Sequence, residues 1–511
     1  MRKKVFKMRK KVLFCSLALL AGAALAPHAV RAADAETLVS TNDPMAAFLE
    51  TRAYAAKMGA TAEFRKMEGV AYDKVNNKIY IAMSEISKTM SDQKGDIQLP
   101  ENICGIVYEA KLDADNNIGK LVPVVVGKVA DKNVKSAYGS GFADICDVNT
   151  IANPDGLYAD KHGNLWISED TDRHTNNMLW KWDGKKLTRF ATVPTGAEIT
   201  GVHVTAQDDL LFNVQHPSAM SKHPYNRGIV GIMNGFKSNA PFESVAVPKG
   251  DDVFDVKTAA GKYQVLARVG EPIPNDGAGQ RFGQIDTLAG KLKEVCNHPD
   301  GNMFLPITAS GDEAYLFTNY ECRPGTIGKV YMKRNAKGWD VIDGENVNFA
   351  AVQGTWNNCN ASVTPWNTGL SSEEYEPVAG KSGWQENVKE MTTYLGKQAN
   401  PYDYGYPVEL IPDNSGESIA TKVVKHYSMG RLSYEMSVIM KDNKTAYSGD
   451  DGTAVVLTKF IADEPGKLSA GTIYAGKISQ EKDESLAIKW LELGRSTDAK
   501  VYEAIRAVKL N

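Results

Sequence analysis

DGLYADKHGNLWISED, residues 155–170, reads as two short strands joined by a reversal at His162-Gly163-Asn164. Its second strand is apolar and then stops abruptly at Glu169-Asp170. The same event, a short apolar or β-branched run ending in acidic or amide residues, occurs six times. The six stretches are NKIYIAMSE (77–85), GNLWISED (163–170), DDLLFNVQHP (208–217), EAYLFTNYE (313–321), TPWNTGLSSEE (364–374) and NKTAYSGDD (443–451). Each is introduced by a Gly/Asn/Asp turn, and EGVAYD (68–73) and DGLYAD (155–160) supply strands upstream. The spacing varies from about 45 to about 105 residues, which loop insertions around 218–300 and 375–420 account for. Strand pairs recurring along a long chain predict an all-β fold, a six-bladed β-propeller with inserted loops. A few helices decorate it: one is expected over 43–59, with 383–396 and 480–495 as further candidates.

The first residues address the compartment. MRKKVFKMRKK is a basic n-region, VLFCSLALLAGAALA is an apolar run short for a membrane span, and HAVRAAD offers small residues for cleavage after Ala32. Residues 1–32 are therefore expected to be a secretory signal and 33–511 a single domain, periplasmic or secreted, with no stable membrane insertion. A net charge of −3 and 24% charged residues lack the basic excess that nucleic acid binding requires. No coiled coil or exposed apolar helix is evident, so a monomer is expected. Outside the signal, Cys104, Cys146, Cys296, Cys322 and Cys359 remain, an odd number. Two disulfides among four of them allow three connectivities, and Cys359, set among Asn357, Asn358 and Asn360, is the expected free thiol.

In a propeller the ends of the inner strands face a common mouth. Glu68, Glu321, Glu435, Asp450 and Asp451 would converge there, with Glu198 and Asp170 further out. So many anions together cost several kcal/mol unless protons or cations compensate. Carboxylates suit calcium, and a thiolate suits a softer metal such as iron or zinc. His216, by contrast, reads as a hydrogen-bonded structural histidine. Phosphate-cradling glycine loops, HExxH and GxSxG are absent, which removes the commonest nucleotide, zinc-protease and serine-hydrolase readings.

GTWNNCNASVTPWNTGLSSEE (354–374) resembles the NNCA-x-G-x-TPWGT-x-L-x-x-EE segment of the PhoX-type alkaline phosphatases. SMGRLSYEMS (428–437) is similar to the family's GR-x-x-HEGA, and YSGDDGTAVVLTKF (447–460) to its GDD followed by YKF. FRKMEGVAYD, NPDGLYAD, PTGAEITG, NVQHPS and TNYEC likewise resemble family segments, so matches run over residues 64–477. The resemblance implies a six-bladed propeller and a site of two iron and three calcium ions that hydrolyses phosphate monoesters. Carried over by motif, Cys359 would bridge the irons. Glu68, Glu321 and Glu435 would be the principal carboxylate ligands, with Asp450 and Glu198 near calcium. Lys66 and Arg431 would be the catalytic cations. The metals would act as Lewis acids and supply an activated oxygen nucleophile.

Three departures stand out. The NNC segment comes first in the family and late here, which a closed ring tolerates as a circular permutation. The family's Arg-Pro-Glu is Lys66-Met67-Glu68, a charge without a bidentate fork. His-Glu becomes Tyr434-Glu435. Two alternatives follow: a calcium-dependent propeller hydrolase of a phosphodiester or lactone, or a non-catalytic ligand-binding propeller.

Overall fold

The computed structural model describes residues 37–132, 144–412 and 420–510, so the expected signal at 1–32 lies outside the described residues. The opening hairpin forms as read: Leu157 pairs with Ile167, Tyr158 with Trp166 and Ala159 with Leu165. The Asp160 carboxylate closes its turn by accepting the amides of His162 at 2.9 Å and Asn164 at 3.0 Å. Gly163 takes φ +79°, where a side chain would be strained.

Strand follows strand in antiparallel sheets. Separate sheets run from Pro154–Ala159, Glu198–Val204, Pro299–Pro306 and Asn358–Val363 as their first main strands. The two ends of the chain share one further sheet. There Ala62–Asp73, Lys78–Met83, Ile106–Lys111, Lys120–Val126, Leu486–Thr497, Lys467–Gln480, Thr458–Glu464 and Thr445–Val456 pair in succession. Thr445–Val456 pairs back onto Ala62–Asp73, so these eight strands close on themselves, and Tyr434–Ile439 adds to Thr445–Val456. The first strands of the successive units touch in chain order, and Tyr434–Ile439 returns to Ala62–Asp73 to complete a circuit.

Two-residue alternation explains why the sheets stack. Leu165 and Ile167 pack with Ala71, Tyr80 and Ala82 on one side. Trp166 between them packs on the other side with Ile199, Phe212 and Val214. Leu211, next to Phe212, passes the pattern on to Phe304 and Leu316. The sheets that hold Leu165–Glu169 and Leu210–Gln215 are thus apolar on both faces. Trp166→Ala would open a cavity in a fully buried layer, at a cost of about 3–5 kcal/mol.

Among the described residues the helices are short. The 43–59 segment is helical as Ala46–Leu49 and Thr51–Lys57, and the 383–396 segment as Trp384–Asn387 and Lys389–Leu395. The helix expected over 480–495 is corrected: Leu486–Thr497 is a strand, and the helix follows it at Asp498–Ala507. Leu486, Ile488 and Trp490 recur every second residue and join one core cluster, the period of a strand. No helix among the described residues is long and apolar enough to cross a membrane. Disulfides join Cys104 to Cys146 and Cys296 to Cys322, leaving Cys359 free and buried.

Candidate metal centre

The first strands do not pair evenly. Register shifts fall between Met67 and Val70, Pro154 and Leu157, Pro299 and Asn302, Asn358 and Ala361, and Tyr434 and Ser437. The first residue inside these breaks is Glu68, Asp155, Asp300, Cys359 and Glu435 in turn. A bulge re-aims a side chain, and five bulges here aim five ligand-type groups at one region. Glycine follows three of them because neighbouring strands touch at that point. A Cβ on Gly69 would lie 2.4 Å from the Asp155 carbonyl, and one on Gly301 2.4 Å from the Ala361 nitrogen.

Broken pairing leaves backbone carbonyls to satisfy. Polar residues on the second strands reach across to the next unit to do so. Ser84 donates to the Pro154 carbonyl at 2.8 Å, Asn319 to that of Cys359 at 2.5 Å, and Ser372 to that of Glu435 at 2.6 Å. Asn213 makes the same bond to Asp300. Four units therefore fix the ligand-bearing bulge of the next one.

The resulting cluster is continuous. Asp300, Glu321 and Cys359 present ligand atoms within 4.8 Å of one another, as do Cys359, Glu374 and Glu435; Glu68, Asp155 and Glu435; and Glu68, Glu374 and Asp451. The Cys359 thiol donates to Oε2 of Glu435 at 3.0 Å, and Oε1 of that carboxylate is buried without a hydrogen-bond partner. Neighbours orient the rest. The Asn357 amide donates to Glu321 at 2.9 Å and to Glu374 at 3.2 Å. Gln215 donates to Asp300 at 2.8 Å, and the Tyr375 hydroxyl donates to Asp451. Lys66, Asn357, His216 and Tyr375 all hold positive φ, a strained backbone state that concentrates at functional sites.

Burial presses the carboxyls of Glu68, Asp155, Asp300, Glu321 and Glu374 upward, and carries Glu435 to about 7. It also pushes the Cys359 thiol well up. At Asp451, Lys66, the Tyr375 hydroxyl and Arg65 outweigh burial and hold the carboxyl low. The Lys66 ammonium lies 2.9 Å from Glu68, too little positive charge for so many acids. One sulfur amid carboxylate oxygens, with a buried oxygen left unpartnered, is a donor set that fits cations.

The sequence-derived candidates divide. Cys359, Glu68, Glu321, Glu435 and Asp451 come together, and Lys66 joins them through Glu68. Glu198 stands beside the cluster, ion-paired with His216, whose Nδ1 donates to the Gly196 carbonyl at 2.9 Å. Asp450 faces away: Arg52 donates to it at 2.5 Å and 2.9 Å. Alternation along a strand decides this, since Asp450 and Asp451 point to opposite sides. The same parity separates Glu373, paired with Lys425 at 2.8 Å, from Glu374 in the cluster. Arg431 is spent on backbone carbonyls, donating to Tyr404 at 2.9 Å, to Pro401 at 3.2 Å and to Pro377. Sequence reasoning missed Glu374, Asp155 and Asp300 as ligands. The signal of Asp155 and Asp300 was a repeated tripeptide, Pro154-Asp155-Gly156 and Pro299-Asp300-Gly301, each opening a first strand.

The family model described as alkaline phosphatase PhoX matches residues 28–218 and 326–511. Among solved structures, Pseudomonas fluorescens PhoX in complex with vanadate, a transition state analogue, is 24% identical with a TM-score of 0.28. That match covers 35% of this chain and 35% of that chain, so it spans about a third of that protein. Penicillium chrysogenum α-L-arabinanase complexed with arabinobiose is 8% identical over 85% of this chain and 97% of that one, with a TM-score of 0.37. The Dos1 propeller is 9% identical over 85% and 94%, with a TM-score of 0.32. No curated protein matches. The family model covers well over half of the sequence, and the chain belongs to the alkaline phosphatase PhoX family.

Proposed function

We propose that this family member is an extracytoplasmic, monomeric phosphomonoesterase that works at a mixed iron and calcium cluster in a six-bladed propeller. The blade count follows from treating the closed sheet as two blades, one from each end of the chain, beside the four separate sheets of four or five strands and leaving the two-stranded one aside. The observation that carries the reading is the buried thiol of Cys359 set among carboxylates from the successive first strands. Sulfur suits iron, and the oxygen-only groups suit calcium. Cys359, Glu68, Glu321 and Glu435 are the principal ligands, with Asp155, Asp300, Glu374 and Asp451 completing the set of up to two iron and three calcium ions. Glu198 serves as an outer ligand through its place beside His216. Asp450 supports Asp451 by anchoring Arg52.

A metal cluster supplies Lewis-acid activation of the phosphoryl group. The protein's own residues do the rest. The Lys66 ammonium is partly exposed and offers positive charge to phosphoryl oxygens, where charge spreads in the transition state. Asn357 fixes Glu321 and Glu374 in one geometry, and Gln215 fixes Asp300. Arg431 acts from behind the site by holding the backbone around Tyr404.

Hydrolysis of p-nitrophenyl phosphate at alkaline pH by protein of measured iron and calcium content tests the reading, with Cys359→Ala alongside. Turnover abolished by both chelation and the substitution is expected. An iron-loaded, folded sample without turnover would sink the phosphomonoesterase claim, and turnover with calcium alone would remove iron from the reaction.

A further inference from the structure

We infer that the central channel holds a second binding site, for a small amphiphile with an apolar body and an anionic head, on the other side of the bulges from the acidic cluster. The inference does not rest on the phosphatase reading. A cavity of about 630 Å³ lies among the same first strands, lined by residues that follow the bulges. Val70 follows Glu68, Leu157 follows Asp155, Phe304 follows Asp300, Val363 follows Cys359, and Val438 follows Glu435. Gly156 and Asn360, the second residues of their bulges, also line it. Its volume falls within the roughly 300–1,000 Å³ of small-molecule sites.

The wall chemistry selects the body of the ligand and the rim selects its head. His203 is the imidazole in the wall, its ring 4.9 Å from Tyr158 and 6.1 Å from Phe304. Burial draws its pKa down to about 4, so the wall is uncharged at neutral pH. At the rim, the Asp160 carboxylate is already engaged by Asn164 and by the Trp166 indole at 3.1 Å. Lys161 is paired with Asp208 at 3.1 Å. Asp160 is also buried, whereas Lys74 is exposed and makes no ion pair among the described residues, so the accessible unpaired charge at this rim is positive.

Isothermal titration of the metal-loaded protein with sodium dodecanoate tests the inference, with dodecanol as the uncharged comparison. Saturable 1:1 binding of dodecanoate is expected, weakened at least about tenfold by Val363→Trp, which fills the cavity, and several-fold by Lys74→Glu. Val202→Trp is the second filling variant should Val363→Trp fail to fold. Absence of saturable binding to the folded protein overturns the site, as does binding that a folded filling variant leaves unchanged. Dodecanol binding as tightly as dodecanoate overturns the anionic head.

Discussion

The sulfur of Cys359 lies 3.0 Å from Oε2 of Glu435, while Oε1 of the same carboxylate is buried with no hydrogen-bond partner. The two residues come from adjacent first strands and are aimed at each other by equivalent bulges. A thiol, a half-satisfied carboxylate and six further acids in one buried volume form an arrangement that cations would stabilise.

Removing those cations should therefore destabilise the fold. A site filled at one hundred times its dissociation constant contributes about 2.7 kcal/mol, and several sites add. Thermal melts with and without chelator should show a clear fall in Tm, restored by calcium and iron. An unchanged Tm would argue that protons alone neutralise the cluster.

The two aspartates of the Asp450-Asp451 pair should behave differently. Asp450→Ala removes the buried partner of Arg52 and should cost about 3–5 kcal/mol of stability, read by denaturant unfolding. Asp451→Asn should keep the fold and lower bound metal and turnover, the latter by about 100-fold. Equal effects on metal content would contradict the opposite orientation of the two side chains.

Lys66 should act through its charge. Lys66→Ala should reduce kcat/KM by about 100-fold, close to 2.7 kcal/mol, whereas Lys66→Arg should retain most of it. Phosphate inhibition should weaken in parallel in the alanine variant. Full activity without the ammonium would remove Lys66 from the phosphate site.

Stability should fall on the alkaline side through His426, which pairs with Glu409 and Asp498 rather than with any cluster residue. Burial lowers its pKa, but Asp498 at 3.1 Å and Glu409 at 3.0 Å outweigh burial and carry it up to about 9. A folded value above the ordinary 6.5 means that its contribution is complete below about pH 6.5 and is lost as pH rises through 9. Urea midpoints compared at pH 6.5 and pH 9.5 should show the loss, and His426→Ala should shrink it. A midpoint difference unaffected by the substitution would assign the loss elsewhere.

The sequence by itself determined the strand periodicity, the acidic and amide ends of the second strands, the odd cysteine and the family. Those features are local, because apolar alternation and turn residues act over a few positions. The choice between Asp450 and Asp451 depended on strand parity, and that of Arg431 on nearby carbonyls from a separate stretch of chain. Asp155 and Asp300 were legible only as a repeated Pro-Asp-Gly, whose meaning comes from bulges that need a partner strand to exist. Leu486–Thr497 is a strand rather than the expected helix because pairing with Lys467–Gln480 and with Lys120 and Leu121, distant in the chain, holds it extended. Tertiary structure alone decided which acids meet, since convergence requires closing the ring between Ala62–Asp73 and Thr445–Val456, residues far apart in the chain.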